Sequence, residues 1–490
     1  MVFRHGDIQL LAHKTYKRRQ PELTALHKTV ADNWLQFVQQ AELRDATIPG
    51  FVHRAFDKYI HCGQLAAGFA RVRCKSCADE HLVAFSCKTR GLCTSCDGKR
   101  MAEAAGHIVD DVFPEAAARQ WVFTVPPWLR YKMAWDHKLA GKVLNIFVRT
   151  VTAWYRAEAR QLGCDVSKCA AVSVLQRFGD GLRLSPHCHV IFADGVWVPS
   201  LADGSPQFIR ARSPSQADVE DVLRSARRKV LRALLKLGVV SPDNDDFGHD
   251  ELADSALMLA WCSKASLLDR IAVGKRQGRL VARVRDEPPE PRPDGRLCAA
   301  LDGFTVHAAT TVAPKDRAGL EKLCRYVCRP AFSVKRMELL PNGRVFMKFK
   351  SKWRDGSIGK VFEPIDLVAK LVPLVVKPRV NLLRYHGQFA GNAKWRPEIC
   401  PTPNQPAPST IASATSAQQR HRRRSWAEML KRCFAIDVLK CPCGGEREVI
   451  STIKAGRVAS QILRHLGQPT DLPKFRRARP PPDYFEAGCD

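Results

Sequence analysis

Apolar residues early in the chain recur every three to four positions: Leu23, Leu26, Val30, Trp34 and Phe37, then Phe51, Phe56 and Tyr59. That period predicts two helices across residues 20–61. The period changes at Gln120–Val125, an apolar run that reads as a strand stopped by Pro126 and Pro127. A long helix follows over 136–161, with Leu139, Val143, Phe147, Val151 and Trp154 on one face. Ala171–Gln176 is the next strand; Gly179–Gly181 turns the chain, and His187–Phe192 is its hairpin partner. Ser215 caps a basic helix over 216–237, and Pro288–Gly295 reads as a surface loop. Gly303–Ala308 returns to strand, and Asp316–Cys328 is a helix that must end before Pro330. Pro401–Ser416 has a linker composition, and a basic run, Arg420–Arg424, opens the C-terminal segment and its proline-rich tail. No internal repeat is evident. Strand, helix, hairpin, insert, strand and helix in this order fit an antiparallel sheet with helices on one face, an α+β architecture.

Length and charge narrow the picture. At 490 residues, two to four domains are expected. Lysine and arginine number 78 against 49 acidic residues, a net charge of +29, which points to a polyanionic partner and to nucleic acid before membrane. No apolar stretch is long enough to span a bilayer, and Met1–Asp7 lacks a signal-peptide pattern, so a cytoplasmic location is expected, beside the nucleoid when DNA is bound.

The chain carries 18 cysteines, which in an unexported protein indicates thiolate–metal sites rather than disulfides. Cys74-x-x-Cys77 and Cys93-x-x-Cys96 are separated by 15 residues, the spacing of a zinc ribbon, and together predict one structural Zn²⁺ site. Cys62 and Cys87 are spare in this reading, able to replace a ligand or to serve a second site. Cys441 and Cys443 have no partner pair nearby in sequence, which favours a structural or vestigial role.

The hairpin strand reads Ser185-Pro186-His187-Cys188-His189. Residues two apart on a strand share a face, so His187 and His189 can bind one divalent ion, Mg²⁺ or Mn²⁺, from a rigid support. With 15 histidines, His-x-His arises by chance about half a time per chain, so context must carry the argument. Context is supplied by Tyr326 on a helix, flanked by Arg325 and Arg329. A phenolate there can attack a phosphodiester polarised by the metal, with the guanidinium groups neutralising the growing charge. The bland alternative is a core tyrosine with a satisfied hydroxyl. Gln176, on the neighbouring strand, is the expected third metal ligand, with His307 and Glu321 as rivals.

These segments, in order, resemble transposases of the insertion-sequence ninety-one type, rolling-circle enzymes with an HUH single-strand nuclease. The resemblance runs from Phe85–Cys96 and Arg119–Phe123 through Gln176–Gly179 and Pro186–Val190 to Asp316–Glu321, Cys324–Tyr326, Arg329-Pro330 and Leu383–Gly387. It implies Tyr326 as nucleophile, His187 and His189 as metal ligands, zinc on the N-terminal cysteines, and single-stranded element ends as the DNA partner. Pro330 stands where some members carry a second tyrosine, so the chain resembles the single-tyrosine branch, like the common-region elements. The expected division is a helical and zinc-ribbon domain over 1–115 and an HUH-type nuclease over 116–395. A flexible basic linker over 396–424 and a small, partly disordered segment over 425–490 follow. With the ribbon on its own domain, its loss is expected to spare the chemistry at Tyr326. A rolling-circle replication-initiation nuclease and a non-catalytic zinc-binding DNA protein are the alternatives.

Overall fold

The computed structural model describes residues 19–240, 250–286, 296–401 and 437–478, together with Glu428. The loop expected over 288–295, most of the linker and the 420–424 basic run lie outside these residues, as do Met1–Asp7 and the last twelve residues of the tail.

The N-terminal period becomes α1 (Ala25–Glu42) and α2 (Gly50–Ile60). Thr24 caps α1 by accepting from the His27 N–H. Leu26, Val30, Trp34 and Phe37 are buried as the spacing requires, and Trp34 stacks on Phe56 with ring centroids 3.9 Å apart. Each such ring removed from water contributes about 1.5–3 kcal/mol. Strands β1 (Gly68–Cys74) and β2 (Glu80–Ala84) precede α3 (Thr94–His107), which runs into a π-helical turn at Ile108–Val112.

From there the chain builds its main sheet. The strands are β3 (Ala118–Thr124), β4 (Ala170–Phe178) and β5 (Leu184–Ala193), with the ribbon β6 (Gly195–Pro199) and β7 (Pro206–Arg210) beside them. Between β3 and β4 come α4 (Pro127–Trp135) and α5 (His137–Gln161); α6 (Gln216–Lys236) follows β7, its Ser215 cap closing a capping box with Asp218. An insert supplies α7 (Glu251–Ser255), α8 (Leu257–Leu267) and β8 (Ala282–Arg285). Then come β9 (Cys298–Leu301), β10 (Phe304–Val312) and α9 (Arg317–Val327). The chain continues with β11 (Met337–Leu339), β12 (Val345–Lys348), β13 (Ser357–Phe362), α10 (Pro364–Leu371), β14 (Leu383–Gly387) and α11 (Arg396–Ile399). It ends with β15 (Arg447–Lys454) and α12 (Arg457–His465).

The main sheet has the order β14-β4-β5-β3-β10-β9, and every pairing is antiparallel. The fold is thus mixed helix and antiparallel sheet. One face carries the long helices, through Trp121, Phe123, Cys188 and Val190 against Phe147, Val151, Val222 and Val230 of α5 and α6. The other face is not bare. Val172, Val174 and Ile191 meet Leu320, Leu323 and Val327 of α9 and Ala105 of α3, so α9 is placed over the histidine side of the sheet. The sequence pattern anticipated helices on one face only because the alternation in β4 and β5 is masked by apolar residues on both sides. A buried ion pair, Arg119 Nε to Asp194 Oδ1 at 2.9 Å, ties β3 to the end of β5, and the Tyr155 hydroxyl donates to the same carboxylate at 2.8 Å.

Two expectations about domains need correction. β15 pairs with β1 along its whole length, so the C-terminal segment is the third strand of the N-terminal sheet, not a separate piece. The N-terminal helices are not a free module either. Trp34, Phe37 and Leu92 share one core with Leu184 of the main sheet and with Leu367 and Leu371 of α10.

Candidate functional site

Alternation on β5 sends Cys188 into the core, fully buried, and turns His187 and His189 to the side covered by α9. Their Nε2 atoms face one another at 3.0 Å. Each ring is held by its other nitrogen: His187 Nδ1 donates to the Ser185 carbonyl at 2.6 Å, and His189 Nδ1 lies 2.6 Å from the Gln120 side-chain amide. As placed, the Gln120 amide nitrogen donates to Nδ1 and His189 Nε2–H donates to His187 Nε2. Turning the amide so that its oxygen accepts from Nδ1–H frees both Nε2 lone pairs to converge on one ion, two ligands oriented from behind. Burial pushes both imidazoles below their ordinary pKa, His189 to about 3, with the neighbouring His187 and Arg329 adding to the effect. Neutral rings are what a cation needs.

Gln176 sits directly across from His187 in the β4–β5 register. Its Nε2 donates to the Val327 carbonyl at 3.1 Å, which anchors the end of α9 to the sheet and leaves the amide oxygen as the atom able to meet an ion. His307 lies farther along the same face, opposite Val122, and Glu321 is on α9. Among the described residues no third histidine, cysteine or carboxylate joins the His pair. The residues present therefore fit a cation that keeps amide, phosphate or water oxygens in its remaining positions, as Mg²⁺ and Mn²⁺ do.

Tyr326 stands over this pair. α9 buries Leu320, Leu323, Cys324 and Val327, which leaves Tyr326 on the helix shoulder, 42% exposed. Its ring meets His189 edge to face, with centroids 5.9 Å apart and planes at 89°. Arg329 Cζ lies 5.4 Å from the phenol centroid and 5.0 Å from that of Phe178. Burial lowers the pKa of this guanidinium, and its buried Nε has no hydrogen-bond partner, a donor that an anionic ligand would satisfy. Lys350 Nζ lies 5.4 Å from the same ring, on a loop more than twenty residues away in sequence. Arg325, expected beside Arg329, forms none of the hydrogen bonds, ion pairs or ring contacts found around Tyr326 among the described residues. One residue along a helix turns a side chain about 100° away. Tyr385 packs against His107, and burial raises its pKa to about 12.

A cavity of ≈ 330 Å³ is lined by Gln176, Phe178 and Arg329 together with Arg90 and Arg100. The last two come from the cysteine-rich segment. Arg90 donates to the carbonyls of Val380 and Lys377, at 2.6 and 2.7 Å. Gly91 comes so close to Leu374 that a Cβ there would lie 1.9 Å from its carbonyl oxygen.

The cysteines form two clusters rather than the single ribbon site. Cys74 and Cys77 do not meet Cys93 and Cys96. Cys62, Cys87, Cys93 and Cys96 come together instead, with Sγ separations of 3.5 Å for Cys62–Cys93 and Cys87–Cys96 and 4.0 Å for Cys62–Cys96. Cys74 and Cys77 join Cys441 and Cys443, at 3.6 Å for Cys74–Cys443 and 3.5 Å for Cys77–Cys441. Sulfurs about 2.3 Å from a tetrahedral zinc lie at just such separations from one another. Support for the second cluster is built in. The Cys77 backbone N–H helps hold the Cys74 thiol down to about 6, and Arg447 Nη2 donates to Cys441 Sγ at 3.4 Å. A Cβ on Gly445 would lie 3.0 Å from Cys74 Sγ, so the glycine admits the sulfur. The signal for two sites was the count, six cysteines upstream and two downstream; what hid the pairing was a partner cysteine 364 residues away.

No curated protein and no solved structure matches the chain. Two family models do. The IS91 transposase zinc-binding domain matches residues 29–125, and the family described as "Putative transposase" matches residues 170–396, a stretch with both histidines, Gln176 and Tyr326 inside it. With four-cysteine clusters that suit structural zinc and DNA as the partner that transposases act upon, the chain belongs to the transposases of the insertion-sequence ninety-one (IS91) type.

Proposed function

We propose that this transposase nicks single-stranded DNA at its element's ends through Tyr326 and keeps the cut end as a 5′-phosphotyrosine. The observation that carries the reading is the contact between the Tyr326 ring and His189, whose Nε2 faces that of His187. The phenolate oxygen attacks phosphorus, an O–P bond forms to Tyr326, and the bond to the 3′ oxygen breaks. The 3′ oxygen leaves as a hydroxyl after taking a proton from solvent. A later 3′-hydroxyl can reverse the step, because the phosphodiester is conserved in the protein–DNA bond. His187 and His189, with Gln176 beside them, would hold a divalent ion, which supplies charge neutralisation at the phosphate. Arg329 offers its unpartnered Nε to the same anion, and Lys350 adds a second positive charge.

The test is incubation with single-stranded DNA of the element's ends and Mg²⁺ or Mn²⁺, followed by denaturing electrophoresis. A covalent adduct is expected, absent in Tyr326→Phe and in EDTA, while DNA affinity stays within a small factor because phosphate contacts dominate binding. An adduct that persists in Tyr326→Phe would move the role elsewhere, to Tyr385 first.

A further inference from the structure

We infer that the outer surface of α5 and α6, on the far side of the main sheet from Tyr326, is a second DNA-binding surface that holds the backbone of a duplex. It depends on the chain acting on DNA, as its family does, and not on the tyrosine chemistry.

Two grooves meet there, ≈ 370 and ≈ 790 Å³ in volume, sharing Asn145 and Arg149. Lys142, Arg149 and Arg156 line them from α5, and Lys229, Arg232 and Lys236 from α6. Lys168 extends the row toward the β14 edge. Neither wall contains an aspartate or glutamate. Some exposed cations of the chain are paired, as Arg71 with Glu80 and, on another side of α6, Arg224 with Asp221. Here, among the described residues, Lys142, Arg149, Arg156, Arg232 and Lys236 form no ion pair, and Lys229 reaches only the Thr150 hydroxyl at 3.4 Å. Unpaired like charges held side by side on rigid helices repel one another, a cost that a polyanion removes.

Shape selects the form of DNA. The fourteen steps from Lys142 to Arg156 span about 21 Å of straight helix, the axial length of about six phosphates on one duplex strand. Single-strand sites stack bases on aromatic rings. Of the two rings on these walls, Phe192 is buried in the core and His386 is tied to Ser173 Oγ at 2.7 Å, while Trp154 lies under Arg212. A surface of cations without stacking platforms reads backbone, not bases. Neither family match, 29–125 nor 170–396, includes α5.

The experiment measures equilibrium binding of a duplex of about two helical turns and of a short single strand over a NaCl series. It compares the full chain with Lys142→Ala/Arg149→Ala/Arg232→Ala. Duplex affinity should fall about tenfold or more at physiological salt, and the slope of log K against log salt should shrink by about 2.7, three contacts at about 0.9 each. Single-strand affinity should hold within about twofold, since aromatic and active-site contacts are untouched. A control variant, Lys275→Ala/Arg276→Ala/Arg279→Ala, removes equal charge from an exposed loop. Duplex binding unchanged in the first variant, or equally weakened in the control, overturns the proposal; so does a matching loss of single-strand binding. Alanine is the best helix former, so thermal stability should survive, and the glutamine version of the same set repeats the test with longer side chains. Failure of adduct formation in the unmutated chain would count against the tyrosine chemistry and leave this surface standing.

Discussion

Cys77 Sγ lies 3.5 Å from Cys441 Sγ, although 364 residues separate them. The contact closes a loop that contains the whole main sheet, and the β1–β15 pairing lies beside it. Its hydrophobic support is thin: Phe69, Leu65, Ala459 and Leu463 form a small core of their own. A metal site is therefore a main stabiliser of this corner. Cys441→Ser/Cys443→Ser is expected to halve the zinc content, from about two equivalents to about one. Residues 437–478 should become protease-sensitive, while adduct formation on a short oligonucleotide persists. Unchanged zinc by elemental analysis would contradict the second cluster.

Cys93→Ser should behave otherwise. Cys93 and Leu92 are buried in the core that holds Leu184, which immediately precedes the Ser185–His189 segment, and Arg90 is bonded to the 377–380 segment. Loss of this metal site is a perturbation of the kind that exceeds about 4 kcal/mol. Both thermal stability and adduct formation should collapse together, contrary to the expectation from sequence that this module could fail alone. Retained nicking in a zinc-depleted Cys93→Ser protein would restore the separate-domain picture.

The contrast shows what the sequence could carry. Local periodicity found α5, α6 and α9 within a residue at each end, and the two helices across 20–61 without their bounds, because each has an apolar face and most have a capping side chain. The shared face of His187 and His189 and the helix position of Tyr326 were legible because strand alternation and helix periodicity are local properties. The cysteine pairing was not, since spacing within the first hundred residues suits a ribbon equally well. Gln120 and Lys350 were invisible for the same reason: they reach His189 and Tyr326 only through β3–β5 pairing and the fold of a distant loop.

Acid should loosen the edge of the main sheet. Burial, with Arg384 nearby, pushes His386 down to about 4, and its Nε2 is bonded to Ser173 Oγ at 2.7 Å across the β14–β4 pair. An unfolded histidine titrates near 6.5, so between about 6.5 and 4 the unfolded chain binds more protons. Stability therefore rises with pH through that window and falls as pH drops. Denaturant midpoints at pH 7 and pH 5 should differ more for the native chain than for His386→Gln, which keeps a polar partner but cannot take up the proton. Equal pH slopes would rule out His386 as a contributor.

Gln120 supplies the sharpest test of the histidine pair. It is buried on β3, and its amide lies 2.6 Å from His189 Nδ1. The atom placed there is the amide nitrogen; a half-turn of the amide puts its oxygen on Nδ1–H, and in that orientation His189 holds the tautomer whose Nε2 lone pair faces that of His187. Leucine has similar volume and no polar atom, so Gln120→Leu should fold while leaving Nδ1 without its partner and the ring free to adopt the other tautomer. Losses of about 10–100-fold in metal affinity follow from removing such support. The expected signature is a rise of that size in the Mn²⁺ concentration for half-maximal adduct formation, with near-normal yield at saturating Mn²⁺. Gln120→Glu, which retains an acceptor, should recover most of the loss. A drop in maximal yield with no change in metal dependence would mean that Gln120 shapes the DNA path and not the ligand.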